Sequence, residues 1–231
     1  EEKTMLSYIN GALSRSALAS GVLQEIRKDI ILRNYPPETK LTERVLCLKY
    51  GISKTPARQI LQQLENEGFV TMLDNGCKKT VEFTENDLDC LYSLRNLLEI
   101  TAVKMVFEKK LKSYSNMLES FIRLESLSKA SREAYFEYDV DFHHSIIEMS
   151  GNKYILHAYE NIAPILYTMF QISYGIYAED FFEDDVETHN RLMRSIICES
   201  EETCLAEFEK HHASAARNAK AALRKAVAEK K

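Results

Sequence analysis

Residues 41–68 constrain the fold more than any other stretch of this 231-residue chain. Their sequence, LTERVLCLKYGISKTPARQILQQLENEG, predicts two short amphipathic helices separated by a break at Tyr50 and Gly51. Ser53 has the side chain of a helix N-cap, and Pro56 lies in the first turn of the second helix, where its missing N–H costs little. Two short helices joined by a tight turn that contains glycine predict a helix-turn-helix motif.

The two helices are expected to pack through aliphatic and aromatic side chains. In the first helix these are Leu41, Val45, Leu46 and Leu48. For the second helix they are Ile60, Leu61, Leu64 and Phe69. The start of the second helix carries short hydroxyls and long cations, at Ser53, Lys54, Thr55 and Arg58. Such groups at a helix N-terminus hold phosphates and reach base edges. An ordinary capped surface helix is the alternative that this stretch alone leaves open.

A β-hairpin is predicted directly after the second helix. Residues 69–72 have the pattern of a strand, residues 73–76 that of a turn containing Asn-Gly, and residues 77–83 that of a return strand. Lys78 and Lys79 lie near the tip of this hairpin. A helix-turn-helix followed at once by a basic hairpin predicts a winged helix.

These residues resemble the GntR family of bacterial transcription regulators. The family motif L-x-E-R-x-L-x-x-x-x-G-[VI]-S-[RK]-T-P-x-R-x-x-L-x-x-L-x-x-[ED]-G is matched at Leu41, Glu43, Arg44, Leu46, Gly51, Ile52, Ser53, Lys54, Thr55, Pro56, Arg58, Leu61, Leu64, Glu67 and Gly68. The resemblance implies a homodimer on a double-stranded DNA operator, with one winged helix at each half-site of an inverted repeat. The expected DNA-contact residues are Arg44, Ser53, Lys54, Thr55, Arg58, Gly76 and Lys78.

Each of these residues has an expected target on the duplex. Arg58 and Arg44 are the candidates for base or phosphate contact, because arginine suits bidentate recognition of guanine. Lys54 is expected on a phosphate, together with its hydroxyl neighbours. The wing near Gly76 is expected in the minor groove.

Composition limits the compartment and the partners. No apolar run is long enough to span a membrane, and there is no signal-peptide pattern, so no membrane partner is expected. The five cysteines are scattered without a CxxC pair, which predicts reduced thiols in a cytoplasmic protein. The net charge of −5 divides into +2 for residues 1–82 and −7 for residues 83–231. The basic cluster at residues 54, 58, 78 and 79 must therefore provide the attraction to DNA.

The pattern of the chain predicts two domains in a mainly α protein. Residues 1–83 are expected to form a winged helix-turn-helix domain with a β-hairpin wing, preceded by a loose arm over residues 1–15. Residues 84–231 are expected to form an all-α, six-helix antiparallel bundle, because strand signals vanish and the joints are short and polar. The six helices are predicted at about 85–110, 113–128, 131–150, 152–174, 179–199 and 202–228. The first of them is expected to bury Leu88, Leu91, Leu94, Leu97, Leu98 and Ala102.

Histidine and aspartate residues in the second domain suggest a metal site. Asp139 and His143 are four residues apart on one predicted helix, so their side chains lie only ~40° apart around its axis. His189 falls on the fifth predicted helix of this domain, and His211 falls on the sixth. Three imidazoles and a carboxylate suit a divalent transition metal such as Zn, Ni or Mn. Solvated or capping histidines are the common alternative for such a pattern.

This half of the chain resembles the FCD ligand-binding domain of the FadR subfamily. The motif D-x-x-F-H-x-x-[IL]-x-x-x-S-G-N is matched at Asp139, Phe142, His143, Ile146, Ser150, Gly151 and Asn152. The resemblance implies that the metal ligands are Asp139, His143, His189 and His211, and that a small organic acid completes the coordination. His144 and His212 are expected to turn ~100° away from the site, and Asp141 to face the opposite side of its helix.

A second family motif, Y-x-x-R-x-x-L-E, is matched at Tyr92, Arg95, Leu98 and Glu99. Arg95 is expected either to bind the acid effector or to form an ion pair with Glu99. Other positions depart from the family: an asparagine replaces the usual arginine after the third ligand, and Tyr159, Tyr167 and Gln171 stand where many members have arginines. A strongly anionic effector is therefore not expected.

The predicted function is a metabolite-responsive transcription regulator, not an enzyme. A repressor that a small organic acid releases from its operator is the favoured mode. The sequence leaves open a metal-dependent hydrolase, a direct metal sensor or structural metal, and a domain that binds a fatty acyl ligand without metal.

Overall fold

The computed structural model describes residues 9–10, 13, 16–74, 76–109, 113–127, 132–177 and 182–228. It confirms a mainly α fold with a winged helix and an all-helical second part. One compact unit comprises residues up to Glu85 together with those from Leu223 onward, and the other is Asn86–Ala222. The domain boundary expected after residue 83 remains a prediction. Most of the predicted arm over residues 1–15, and Asn75 of the predicted turn, lie outside the described residues.

The winged-helix unit contains three main helices and a small sheet. Its elements are α1 (Ala17–Ile31), β1 (Lys40–Leu41), α2 (Glu43–Tyr50), α3 (Lys54–Asn66), β2 (Val70–Met72) and β3 (Lys78–Thr80). The strands are antiparallel in the order β1-β3-β2, with Lys79 paired to Lys40 on one side and to Thr71 on the other. Helices α2 and α3 form the predicted helix-turn-helix, and β2–β3 is the wing.

The start of α2 differs from the prediction. Leu41 lies in strand β1 rather than in the helix, and it is buried there. Thr42 is the N-cap of α2, and its hydroxyl accepts a hydrogen bond from the Val45 amide at 3.3 Å. Leu46 is the buried residue of this short helix, whereas Val45 and Leu48 are 37% and 76% exposed. A strand of two residues has no periodicity of its own, so its pairing with distant β3 could not be read from the sequence.

A buried ion pair fixes the C-terminal end of α3. Arg27 of α1 donates from Nε to a carboxylate oxygen of Glu67 at 2.7 Å, and both side chains are almost fully buried. Glu67 is the C-cap residue of α3, and Gln63 also donates to its carboxylate at 2.7 Å. Bidentate pairing of arginine with a carboxylate is geometrically specific. This pair therefore fixes the C-terminal end of α3 against α1.

The second unit is built from helices. They are α4 (Glu85–Lys109), α5 (Ser115–Leu127), α6 (Arg132–Met149), α7 (Lys153–Tyr177), α8 (Phe182–Cys198) and α9 (Glu201–Ala228). Glu85 and the residues of α9 from Leu223 onward belong to the first unit. Their bounds lie close to the six predicted helices. Within the described residues, none of the helices has both the length and the apolar character needed to cross a membrane.

The buried side of α4 was predicted only in part. Leu88, Leu98 and Ala102 are buried as expected, but Leu94 and Leu97 are 40% and 61% exposed. The interior-facing positions include polar side chains instead, among them Arg95 and Glu99. Leucines occur around much of this helix, so the spacing of apolar residues does not define one face. The buried face combines apolar residues with Arg95 and Glu99, and Glu99 contacts histidines of two other helices.

Candidate nucleic-acid interface and candidate metal centre

The N-terminal turns of α3 form an exposed polar surface. Ser53, Lys54, Thr55 and Arg58 are all exposed. The opposite side of the helix buries Ala57, Ile60, Leu61 and Leu64. Ser53 occupies the N-cap position, but its side chain makes no capping hydrogen bond, contrary to the expectation from sequence. Four of the expected DNA-contact residues therefore lie together on the outer side of one helix.

The other three expected DNA-contact residues lie on α2 and the wing. Arg44 is exposed on α2, and Gly76 is exposed at the wing tip with a φ of +78°. That backbone conformation suits glycine because it has no Cβ. Lys78 is half-buried and forms an ion pair with Glu65 of α3. This ion pair connects the wing to helix α3.

Glu43 supports Arg58, a role that sequence reasoning missed. Arg58 donates from Nε to a carboxylate oxygen of Glu43 at 2.7 Å, and the Arg58 side chain remains 75% exposed. The hydrogen bond from Arg58 lowers the pKa of Glu43. The carboxylate engages one edge of the guanidinium, so the end of the side chain can still reach a base. Glu43 belongs to the matched motif, but only the fold shows that α2 brings it to Arg58.

The four expected metal ligands meet in the second unit, where α6, α8 and α9 converge. His143 and His189 lie with their Nε2 atoms 3.3 Å apart. The His189 Nε2 atom is 2.8 Å from a carboxylate oxygen of Asp139. The His211 ring lies 5.0 Å from that of His143 and 5.1 Å from that of His189, centroid to centroid. One ring nitrogen from each histidine lies within 4.8 Å of the others. All four residues are buried.

This donor set fits a divalent transition metal. Burial lowers the pKa of His143 to about 4 and also lowers that of His211, so both imidazoles are neutral at neutral pH. Burial has the same tendency at His189, but the carboxylates of Asp185 and Asp139 raise its pKa to about 9. Neutral imidazole nitrogens with a carboxylate oxygen are ligands for Zn, Ni or Mn. Binding of the ion therefore requires His189 to lose a proton.

Glu99 contacts the candidate ligand His143 and positions it, a role that the sequence did not indicate. Its carboxylate lies 2.7 Å from His143 Nδ1 and 3.0 Å from His212 Nε2, and it accepts a hydrogen bond from Arg95 Nε at 2.7 Å. Burial opposes ionisation of Glu99, but His143, Arg95 and His212 together hold its pKa well below the usual range. A hydrogen bond at Nδ1 fixes the histidine tautomer that presents Nε2 to a metal.

Of the three residues expected to point away from the metal centre, two do so and one does not. His144 lies 3.4 Å from Glu160, away from the centre, and Asp141 accepts a hydrogen bond from Ser120 at 3.4 Å. His212 does not turn away from the site, because it contacts Glu99 and lies 2.7 Å from the side-chain oxygen of Asn96. Helix α9 therefore contributes His211 to the candidate ligands and His212 to the residues that support them.

Asp185 is a further residue that sequence reasoning missed. It lies one turn before His189 on α8, and its backbone carbonyl accepts a hydrogen bond from His189 Nδ1 at 2.7 Å. Its carboxylate accepts a hydrogen bond from the Tyr135 hydroxyl. The backbone contact turns His189 Nε2 toward Asp139 and His143. Spacing of four residues was the only sequence signal for this contact.

A cavity of about 410 Å³ borders the candidate centre. Asp139, His211 and Arg95 are among the residues that line it, as is Tyr159. Arg95 thus both pairs with Glu99 and borders the cavity, so the two alternatives left open for it are compatible. Asn190, where the family has an arginine, does not line the cavity and instead donates to Glu187 at 3.3 Å.

We expect Glu99→Gln to weaken metal binding by about 10–100-fold, the usual effect of changing a residue that orients a ligand. The amide removes the charge that fixes the orientation of His143. A competition titration of the purified protein with a chromophoric chelator measures the affinity. Glu160→Gln is the matched control, because Glu160 contacts the non-ligand His144. Equal affinities for wild type and Glu99→Gln would contradict the assignment.

A winged helix followed along the chain by a helical unit with a ligand-sized cavity is typical of a DNA-binding regulator that responds to a ligand. Two protein-family models match the chain: the FCD domain over residues 90–214, and the bacterial regulatory proteins of the gntR family over residues 18–77. The protein belongs to the GntR family of transcription regulators that carry an FCD domain.

Named relatives and solved structures are similar along most of the chain. The gluconate operon transcriptional repressor of Bacillus subtilis (strain 168) is 25% identical over 176 residues, which are 74% of this chain and 71% of that protein. The HTH-type transcriptional repressor GlaR of Escherichia coli (strain K12) is 23% identical, over 74% of this chain and 82% of that protein. The structure of E. coli McbR/YncC has a TM-score of 0.63 at 16% identity, over 90% of this chain and 98% of that one, and shows the shared fold.

Proposed function

We propose that this regulator is a cytoplasmic, homodimeric repressor that leaves its operator when a small organic acid binds beside a metal ion. The metal ligands are Asp139, His143, His189 and His211. The observation that carries the proposal is the convergence of the three histidines, with Asp139 against His189, beside a cavity that Asp139, His211 and Arg95 line. Buried pockets with a few convergent polar groups are typical binding sites for small molecules.

The chain's own residues have distinct roles in holding the acid. When bound, a divalent metal supplies a Lewis-acidic position for a carboxylate oxygen. Arg95 donates to Glu99 through Nε. Its two terminal nitrogens can therefore donate to the carboxylate of the organic acid, the same group that the metal binds. Tyr92 and Tyr159 border the cavity, and burial raises the pKa of both, which keeps them neutral hydrogen-bonding groups.

On the DNA side, Arg58 is the proposed base-reading residue, held in place by Glu43. Arg44 is proposed to contact a base or a phosphate, and Lys54 a phosphate. The hydroxyls of Ser53 and Thr55 are proposed to contact the backbone, and the wing around Gly76 and Lys78 the minor groove. Exposure of α3 at its N-terminal turns supports this arrangement.

Repression is supported by the relatives, since both the B. subtilis and the E. coli relatives described above are named as repressors. The family consists of transcription regulators, so we do not propose a hydrolase. A direct metal sensor and a metal-free acyl-binding domain differ from our proposal in what changes operator affinity. That difference makes the three functions separable in one titration series.

We expect metal-loaded protein with bound gluconate to bind its operator roughly tenfold more weakly than metal-loaded protein alone, within the usual coupling of about 1–3 kcal/mol. An operator selected from a random DNA pool provides the probe, and fluorescence anisotropy provides the affinity. Arg95→Gln is the matched variant, expected to keep the metal and lose the response. Release by metal alone would favour a sensor. Release of chelator-treated protein by a long-chain fatty acid would favour the metal-free alternative.

A further inference from the structure

The charges around the cavity are unevenly distributed. Among the described residues that line it, Arg95 is the one permanently cationic side chain. Two carboxylates, Asp139 and Asp185, line it as well. The guanidinium of Arg95 already donates a hydrogen bond to a third carboxylate, that of the buried Glu99. The wall therefore carries little unused positive charge for an anionic ligand.

The lining shows how many ligand carboxylates the cavity can accept. A divalent ion held by Asp139 and His211 would lie at the cavity wall, which Arg95 also borders, so the ion and Arg95 could pair with one ligand carboxylate. A second carboxylate would have no other permanently cationic side chain beside it among the described lining residues. A buried charge without a partner is strongly unfavourable.

The remaining lining is neutral. Part of it can donate and accept hydrogen bonds, at Ser173, Thr188, Ser214 and Asn218. The rest is apolar, at Val140, Leu166 and Phe170. Hydroxyl and amide groups suit the hydroxyls of a ligand, and apolar side chains suit its C–H surface. Neither group offers a counter-charge to a second anionic end.

We infer that the ligand of this cavity is a hydroxy acid with a single carboxylate and an otherwise uncharged body, and that dicarboxylates are excluded. The inference rests on the proposed function, in which an organic acid binds beside the metal. It adds a rule for selection by charge within that class of acids.

Matched pairs of acids test the rule. Gluconate and glucarate differ at one end of the chain, where a primary alcohol is replaced by a carboxylate. 3-Hydroxybutyrate and malate differ in the same way at a methyl group. Isothermal titration of the zinc-loaded full chain should show at least one monocarboxylate bound, and it should bind at least tenfold more tightly than its dicarboxylate partner. The use of two lengths separates charge from size.

A variant with an added cation makes the test sharper. Ser173 is half-buried at the cavity wall. Ser173→Lys is expected to reduce the preference about tenfold, whereas Ser173→Met, of similar size, is expected to keep it. Equal binding of a pair by the wild type, or an unchanged preference in Ser173→Lys, would overturn the inference and leave the proposed function standing. Failure of all four acids both to bind and to release the operator would overturn the proposed function, and the inference with it.

Discussion

Replacing His143 with alanine is expected to leave the purified protein without its transition metal. His143 is fully buried and lies between the other candidate ligands and Glu99. Because loss of a supporting residue already weakens metal binding about 10–100-fold, loss of a ligand should weaken it more than 100-fold. Elemental analysis should show the metal content fall from about one ion per chain to near zero.

The neighbouring histidine is the control for this substitution. His144 is also buried, but it lies beside Glu160 and not among the ligands. His144→Ala should therefore keep the metal. If both variants retained the wild-type metal content, the ligand assignment would be wrong even though the four side chains meet.

Arg58→Ala is expected to lower affinity for the operator about 100-fold and to relax base preference at one position of each half-site. The side chain is exposed, so the fold should be unaffected. The variant also leaves the Glu43 carboxylate without its partner near the DNA phosphates, which adds repulsion. Anisotropy titrations against the operator and against single-base variants of it measure both effects.

Lys54→Ala is the comparison for Arg58→Ala. A phosphate contact carries no sequence information, so this variant should weaken binding uniformly and reduce the salt dependence by about one unit of slope. Wild-type affinity in Arg58→Ala, with the same thermal unfolding temperature, would remove Arg58 from the proposed interface.

The sequence was sufficient for the order of the helices. Regular apolar spacing and short polar joints predicted each helix of the second unit to within a few residues. It was insufficient for strand β1, because two residues cannot show an alternating pattern. It also misjudged Leu94 and Leu97 of α4, since their burial depends on which neighbours the helix meets.

The candidate site was predictable where a local pattern existed. Asp139 and His143 are one helical turn apart, and the family resemblance supplied the two later histidines. Glu99 and His212 were not predictable, because their roles arise from contacts between helices distant in the chain. The rotation expected to carry His212 away from the ligands carries it toward α4 instead, where the carboxylate of Glu99 lies.

Helix α3 is held by different kinds of ion pair at its two ends. At the C-terminal end, the carboxylate of Glu67 accepts two hydrogen bonds from the buried side chain of Arg27. In the first turns of the helix, Arg58 pairs with Glu43 of α2, and the two side chains are 75% and 33% exposed. An exposed ion pair contributes little stability and is screened by salt, whereas breaking a buried pair is strongly destabilising. We therefore expect the Arg58–Glu43 pair to rearrange at much lower cost than the Arg27–Glu67 pair, so that side chains at the N-terminal end of α3 could adjust to a DNA duplex without disturbing the core.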